Sequence, residues 1–202
     1  MADETLNRKK GVLDRREAIK AILEKRGDAL LVTGLGSSCY DAGVHDHPNT
    51  FYLWGAMGAA AMMGLGLALA QPQRRVLVIT GDGEMLMGLG SLATIGARKP
   101  ENLAIIVVDN ELYAETGMQP THTASGVNLA GIAKAADFAV GETVYTDAEL
   151  TAAIDAMYRA VGPVLFNLKV SNKRYPMSIR LRDGAHIKNR FRENLLGEKA
   201  FD

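Results

Sequence analysis

Short apolar runs alternate along the chain with longer stretches in which apolar residues mostly recur at helical spacing. Each short run is almost continuously apolar and is bounded by glycine or polar residues, which indicates a strand buried on both faces. The longer stretches predict helices. The predicted strands are 29–33, 50–54, 76–80, 103–108, 139–144 and 164–170, and the predicted helices are 12–26, 56–70, a stretch from 84, 128–136, 147–161 and 186–196.

Strands that alternate with helices are typical of α/β domains, in which helices cover both faces of a parallel sheet. We therefore expect a three-layer αβα arrangement with an open, mainly parallel sheet. The chain has 202 residues, which suits one such domain with a sizeable core, so residues 1–202 are assigned to a single domain. Its last part, from about 171 to 202, is predicted to be a C-terminal arm in which basic residues outnumber acidic ones.

Two interpretations of this arm remain open. The simpler one is a solvated arm that packs on a partner chain. In the other, some of its cations receive an anionic group of a substrate, because arginine suits sulfonate, phosphonate or carboxylate. These cations are Lys173, Arg174, Arg180, Arg182, Lys188, Arg190 and Arg192.

Composition excludes several function classes. The 23 basic and 23 acidic residues leave no net charge to draw the chain to nucleic acid or to an anionic membrane. The single cysteine, Cys39, excludes an internal disulfide and an iron–sulfur cluster held by this chain alone, and it fits a reducing compartment. The polar N-terminus carries no secretory signal, so cytoplasm is the predicted location.

The uncharged segment 56–70 is shorter than the roughly 20 residues that a membrane-spanning helix needs. A helix buried inside the domain is the better interpretation. Its residues Gly58, Gly64 and Gly66 lower the helix propensity, and close packing of the backbone against a neighbouring element would offset that loss.

Segment 76–119 carries the strongest candidate chemistry. A predicted strand runs into Gly81 and Gly83, which allow unusual backbone angles and the close approach of a ligand. A helix that starts at Glu84 would then offer free N–H groups to a phosphate or diphosphate. The carboxylate of Asp82 would repel that anion unless Mg²⁺ lay between them, and Asn110, after the next strand, would add an amide oxygen. A simple tight turn at 81–83 is the competing interpretation.

The sequence here resembles the thiamine diphosphate enzymes, whose signature is Gly-Asp-Gly followed, some two dozen residues later, by Asn-Asn. This chain has Gly-Asp-Gly at 81–83 and, after 25 residues, Asp109-Asn110. The resemblance implies that Mg²⁺ is bound by Asp82, the Asn110 side chain and the Leu112 carbonyl, and that Asp109 replaces the first asparagine. It also implies that the cofactor, thiamine diphosphate, contacts Gly55, Met57, Gly81, Gly83, Glu84, Asn110, Leu112 and Tyr113.

Within the resemblance, Gly55 offers its carbonyl to the aminopyrimidine ring and Met57 wedges the cofactor into a bent form. From the residues alone, Met57 is simply a core residue. The loop after the second motif contains Glu115, Gln119 and His122, which could hydrogen-bond a polar substrate or transfer a proton, and Glu115 and His122 are the catalytic candidates. The glycine-rich loop predicted for 33–48 holds His45 and His47, which are more often surface residues than site residues.

Segments 51–70, 76–96 and 107–121 together resemble the β-subunit, or C-terminal half, of sulfopyruvate and phosphonopyruvate decarboxylases. Those enzymes remove CO₂ from a three-carbon 2-oxoacid that bears an anionic group. In that family a glutamate on a separate pyrimidine-binding domain activates the cofactor. The resemblance therefore implies a half-site completed by an α-subunit with that glutamate, in an α₂β₂ or larger, self-associating assembly.

Other functions remain open. The same fold and cofactor could serve a carboligase or a carbon–carbon lyase. A ferredoxin-dependent oxidoreductase subunit is disfavoured, since such subunits commonly contribute cluster cysteines. A non-catalytic module that holds the cofactor or regulates a partner is a different class, and the intact Asp82 and Asn110 argue against it.

Overall fold

The computed structural model describes residues 13–178 and 182–201. Within them, strands and helices alternate as the hydrophobic pattern predicts. The strands are β1 (Leu30–Thr33), β2 (Thr50–Tyr52), β3 (Val76–Gly81), β4 (Leu103–Asp109), β5 (Leu112–Tyr113), β6 (Gln119–Pro120), β7 (Val140–Val144) and β8 (Val164–Lys169). The α-helices are α1 (Arg15–Leu23), α2 (Ser37–Gly43), α3 (Ala60–Ala70), α4 (Asp82–Met87), α5 (Gly90–Arg98), α6 (Leu129–Ala135), α7 (Asp147–Arg159) and α8 (Gly184–Leu196).

Six strands form one sheet in the order β2-β1-β3-β4-β8-β7, and every pairing in it is parallel. Successive strand residues point to opposite faces, so Leu31 joins one core cluster while Leu30 and Val32 join the other. Helices α1, α2 and α7 cover the first cluster, and α3, α5 and α6 cover the second. The predicted three-layer αβα architecture is confirmed.

The chain order reverses direction between β1 and β3. The connection from β1 leads outward to β2 on one side, whereas β3 leads to β4 on the other. Open α/β sheets bind ligands in the crevice at such a reversal, beyond the carboxyl ends of the strands. The fold therefore places any site beside the ends of β1 and β3.

Several local predictions were wrong. The segment 33–48 is not all loop, since α2 lies within it and buries Cys39. The helix predicted from Glu84 begins earlier, at Asp82, and is broken into α4 and α5 near Gly88, where an added Cβ would lie 2.3 Å from the carbonyl oxygen of Gly58. The loop after β4 contains the β5–β6 hairpin.

The C-terminal arm packs on its own chain. Ile187 and Phe191 of α8 are buried, and the Phe191 ring meets Phe51 edge to face at 5.7 Å. An arm held in this way is not simply a solvated segment awaiting a partner. Arg180 lies outside the described residues.

Helix α3 is shorter than the predicted 56–70 because Gly58 has a φ of +85°, which an α-helix does not accept. Gly64 packs as expected, since an added Cβ would lie 2.2 Å from Cγ2 of Val78 on β3. Gly66 faces open space. Among the described residues, none of the helices has both the length and the apolar character to cross a bilayer.

This contrast gives a matched pair of stability predictions. Gly64→Ala should destabilise the chain by about 1–3 kcal/mol, because the methyl group overpacks the contact with Val78. Gly66→Ala should stabilise it by about 0.5–1 kcal/mol, because alanine has the higher helix propensity and no contact opposes it. Urea unfolding of the two variants tests this, and equal shifts of the same sign would contradict it.

Candidate functional site

A cavity of about 110 Å³ lies at the reversal of the sheet, among the loops that follow β1, β3 and β4. We call it the central cavity. It is the meeting point of both sequence motifs, because Gly81 ends β3 and Asn110 follows β4. The predicted site residues that line it are Met57, Gly81, Asp82, Gly83, Glu84, Asn110, Leu112, Tyr113 and Glu115.

Asp82 is held by two hydroxyl groups. Its side chain is buried, and Oδ2 accepts a hydrogen bond from Thr121 Oγ1 at 2.5 Å. It also accepts a weaker, shared one at 3.3 Å from Thr123 Oγ1, whose single hydrogen is directed mainly to Asp109. Burial and the charge of nearby Asp109 raise the pKa of Asp82 to about 6, although those hydrogen bonds act in the opposite direction. The carboxylate is thus fixed in orientation in a place where a cation would stabilise its charge.

The other predicted metal ligands are joined to each other. Asn110 Oδ1 accepts a hydrogen bond from the backbone N–H of Leu112 at 3.1 Å, just where the β5–β6 hairpin begins. Asp82, Asn110 and Leu112 therefore reach one cavity from two loops. Within 13–178 and 182–201 no group of three or more His, Cys, Asp or Glu side chains could hold a metal, so a metal here would rely on amide and carbonyl oxygens as well.

Neither glycine of the Gly-Asp-Gly motif has the unusual backbone angles expected from the sequence. Gly81 has ordinary extended angles, φ −91° and ψ 162°, and Gly83 lies inside α4. An added Cβ at Gly81 would meet nothing within 4 Å, so its absence leaves the cavity open. At Gly83 the same atom would lie 2.5 Å from Cε1 of Tyr113, so glycine admits the ring. Close packing against Tyr113 accounts for Gly83, whereas at Gly81 the structure shows open space.

Glu84 joins the loops around the cavity. Its carboxylate accepts hydrogen bonds from the backbone N–H of Leu35 at 2.8 Å and of Ala60 at 3.4 Å. Burial raises its pKa. An added Cβ at Gly34 would come 1.7 Å from Oε2, so the loop after β1 lies directly on this carboxylate. Glu84 therefore positions the loops that follow β1 and β2.

Asp109, the residue that departs from the family signature, is fully buried and paired with a lysine. Lys169 Nζ lies 2.7 Å from Oδ2, Asn167 donates to Oδ2 at 2.9 Å, and Thr123 donates to Oδ1 at 2.8 Å. Burial alone would lower the pKa of Lys169, but its bonds to Asp109 and Glu111 outweigh burial and raise it. The aspartate is accommodated because a lysine from the next strand supplies the opposite charge.

Removing that lysine should strongly destabilise the chain. Lys169→Met leaves Asp109 buried without a counter-charge, and the expected loss in free energy of unfolding is about 3 kcal/mol or more. The double variant Asp109→Asn/Lys169→Met should recover most of the loss, because it removes both charges. Lys20→Met, at an exposed pair with Glu24, is the control and should change stability by less than about 0.5 kcal/mol.

Denaturant unfolding measures all three variants. A single Lys169 variant as stable as the parent chain, or a double variant as unstable as the single one, would contradict this account of the Asp109 environment.

The remaining candidates are distributed unevenly. His122 lines a neighbouring groove of about 480 Å³, which we call the methionine groove. The other residues that line it are Met57, Gly83, Leu86, Met87, Leu89, Tyr113 and Val127. Gln119 bonds locally to Thr116, and His47 Nδ1 accepts from the N–H of Asn49 at 3.0 Å. Gly55, His45 and His47 are not among the residues that line either space.

Comparison with known proteins places this site in a family. The sequence pattern described as "Thiamine pyrophosphate enzyme, C-terminal TPP binding domain" matches residues 36–168, which include both motifs and most of the cavity wall. The chain belongs to the thiamine pyrophosphate enzymes. The family resemblance of segment 76–119 is thereby confirmed.

Curated relatives point to one branch of these enzymes. The chain is 43% identical over 130 residues to the sulfopyruvate decarboxylase subunit beta of Methanothermobacter thermautotrophicus, a match that covers 64% of this chain and 69% of that protein. It is 38% identical over 152 residues to the phosphonopyruvate decarboxylase of Streptomyces viridochromogenes, covering 75% of this chain and 38% of that protein. The chain thus spans well under half of the second relative.

Solved structures support the fold. Benzoylformate decarboxylase from Polynucleobacter necessarius superimposes with a TM-score of 0.66 at 19% identity, covering 81% of this chain and 34% of that one. At this identity the likeness concerns architecture alone, and it agrees with the six-stranded parallel sheet of this thiamine pyrophosphate enzyme domain.

Sequence reasoning missed three contributors to the site. Thr121 and Thr123 hold Asp82, and Arg15 of α1 lines the central cavity. The threonines lie in the same loop as Glu115, Gln119 and His122, so their position in the sequence could have indicated them as site residues. Arg15 lies far upstream in a segment that reads as an ordinary amphipathic helix, and nothing local distinguishes it.

Proposed function

We propose that this chain is the diphosphate-binding subunit of a thiamine diphosphate- and Mg²⁺-dependent 2-oxoacid decarboxylase. Its substrate would be a three-carbon 2-oxoacid with an anionic group, such as sulfopyruvate or phosphonopyruvate. The observation that carries the proposal is the convergence of Asp82, Asn110 and Leu112 on one cavity at the reversal of the sheet. The names of the sulfopyruvate and phosphonopyruvate decarboxylase relatives support the choice of substrate class.

The residues of the cavity fit a magnesium–diphosphate group. Asp82 offers a buried carboxylate and Asn110 an amide oxygen, the Leu112 carbonyl is the third protein ligand proposed, and the open space at Gly81 admits the diphosphate. When bound, thiamine diphosphate supplies the electron sink for decarboxylation.

The residues of this chain would shield the cavity from water, hold its loops in place and transfer protons. Met57 forms an apolar wall common to the central cavity and the methionine groove, and such a wall excludes water. Glu84 fixes the loops that frame the cavity. Glu115 is our candidate for holding or transferring a proton at its carboxylate, and His122, in the adjoining groove, is the second candidate.

A partner chain is part of the proposal. The methionine groove is open beside the central cavity, and Met57 and Met87 are 37% and 69% exposed. Large apolar side chains exposed together beside a site are typical of a protein interface. We propose that an α-subunit with the pyrimidine-binding domain and the activating glutamate covers this groove, in a self-associating cytoplasmic assembly such as α₂β₂.

The substrate class is tested on the chain co-expressed with a neighbouring reading frame that encodes such an α-subunit. The purified complex is offered sulfopyruvate, phosphonopyruvate and pyruvate, with Mg²⁺ and thiamine diphosphate present. We expect CO₂ and the matching aldehyde in equal amounts, fastest from an anionic substrate. Consumption of the oxoacid into a ligated product would favour the carboligase alternative, and absence of turnover from a properly assembled complex would favour a non-catalytic module.

A further inference from the structure

Among the described residues, one buried cation lines the central cavity, and it comes from an unexpected element. Arg15 is the first residue of α1, is only 8% exposed, and lines the cavity beside Ser37 and Ser38. The basic residues of the C-terminal arm, in contrast, are absent from that lining as far as the structure describes the arm. If an anionic group enters the cavity, Arg15 is the cation that it meets.

The guanidinium of Arg15 is held in a fixed orientation. Its Nε donates to the buried carboxylate of Asp41, and its Nη1 donates to the carbonyl oxygen of Lys173 at 3.0 Å. The ring of Tyr175 lies 5.4 Å from the guanidinium carbon. Among the described residues, hydrogen bonds are found for Nε and Nη1 and none for Nη2. The arm thus positions the arginine without entering the cavity.

The surrounding charges leave Arg15 electropositive. Arg16 also binds Asp41, at 2.8 Å, and Lys173 binds Asp14 at 2.9 Å. In this cluster three cations face two carboxylates, so one positive charge is not neutralised. Asp41 cannot cancel Arg15 alone, because it shares its charge with Arg16.

Glu115 lines the same cavity, but its side chain is exposed. It lies beside Gly36, since a Cβ added to Gly36 would come 2.8 Å from Oε1 of Glu115. A cation that is buried and held acts at short range in a poorly screened place, whereas an exposed carboxylate is screened by water. The lining also contains two buried carboxylates, Asp82 and Glu84. Asp82 is assigned to Mg²⁺ and Glu84 accepts hydrogen bonds from backbone N–H groups, so Arg15 is the group left to attract an oxyanion.

We propose that Arg15 binds the anionic head group of the substrate, a sulfonate or phosphonate, with the hydroxyl groups of Ser37 and Ser38 beside it. The planar guanidinium suits such oxygens and can bind two of them at once. This assignment rests on the proposed function for the identity of the substrate. It names a substrate-specificity residue on α1 in place of the arm cations considered from the sequence.

Binding of small unreactive anions tests the assignment without requiring turnover. The full chain is titrated by calorimetry with sulfoacetate and phosphonoacetate, and with acetate as the probe that lacks the head group. The parent chain should prefer the first two, and Arg15→Gln should lower their affinity about tenfold or more. Arg15→Lys, which keeps the charge and guards against a folding defect, should show an intermediate loss.

Arg159→Gln is the matched control. It removes an exposed arginine that pairs with Asp155 and is not among the residues that line the cavity, so the loss should stay below about threefold. Equal losses in the two glutamine variants would overturn the assignment, as would unchanged affinity in Arg15→Gln or absence of head-group preference in the parent chain.

Two further measurements distinguish binding of the substrate from binding of the cofactor, and failure of the Arg15 subsite from failure of the proposed function. Thiamine diphosphate affinity should be unchanged in Arg15→Gln, and a loss there would assign the residue to the cofactor and overturn the proposal. In the complex, Arg15→Gln should raise KM for sulfopyruvate about tenfold and affect pyruvate less. Head-group binding through Arg15 without any decarboxylation would reject the proposed function and keep the subsite, whereas decarboxylation with an unchanged KM would reject the subsite alone.

Discussion

Asp82→Asn is expected to lower the affinity for thiamine diphosphate, measured with Mg²⁺, by about 100-fold or more. Residues that merely support a metal ligand are worth 10–100-fold when removed, so loss of the direct carboxylate ligand should exceed that range. An amide keeps the size of the side chain and can still accept hydrogen bonds from Thr121 and Thr123. The loss would therefore report on charge and metal binding.

The same substitution should leave the unloaded chain as stable as the parent or more stable. Asp82 and Asp109 are neighbouring buried carboxylates, and removal of one charge relieves their repulsion. A merely structural role for Asp82 predicts the opposite, a loss of stability together with the loss of binding. Unfolding in denaturant without cofactor distinguishes the two.

Asp109→Asn is the matched control, because it makes the same chemical change one strand away. The thiamine diphosphate signature carries asparagine at this position, and Asp109 is paired with Lys169 rather than directed at the cavity. Cofactor affinity should fall by less than about threefold. Calorimetry of the assembled protein measures both variants, and equal affinities for the Asp82 and Asp109 variants would contradict the metal assignment.

The position of the site was predictable from the sequence because it depends on strand ends. Val76 to Gly81 and Leu103 to Asp109 are plain apolar runs, and parallel neighbours bring the residues after them to one edge. Asp82 and Asn110 therefore reach the same cavity, as the spacing indicated. The layers followed from the same alternation, whereas the order of the strands was seen only in the structure.

The pairings that complete the site were not predictable, because they join residues distant in the chain. Lys169 meets Asp109 only through the register of β4 and β8, and Arg15 meets Asp41 only through the packing of α1 on α2. Helix α2 was missed because it is short and lies in a glycine-rich, polar segment that is typical of a loop. Gly36, just before it, does have a loop conformation, with a φ of +70°.

Assembly with a partner chain is expected to depend on the methionine groove. In the proposed function the chain supplies a wall for the diphosphate end of the cofactor, and an apolar surface lies beside it along the methionine groove. If an α-subunit covers that groove, Met87→Glu should weaken assembly at least tenfold, because a charge would be buried in an apolar interface. Val161→Glu, at an equally exposed apolar residue elsewhere, should leave assembly unchanged.

A mixing experiment tests whether the chain forms one half of a thiamine diphosphate site. The chain and its candidate α-subunit are purified separately, and CO₂ release from sulfopyruvate is measured with each alone and with the chain titrated into the partner. We predict no turnover above background from either alone and activity that saturates as the complex forms, with Asp82→Asn inactive in the same titration. Full activity from the purified chain alone would contradict the claim that it forms one half of a thiamine diphosphate site.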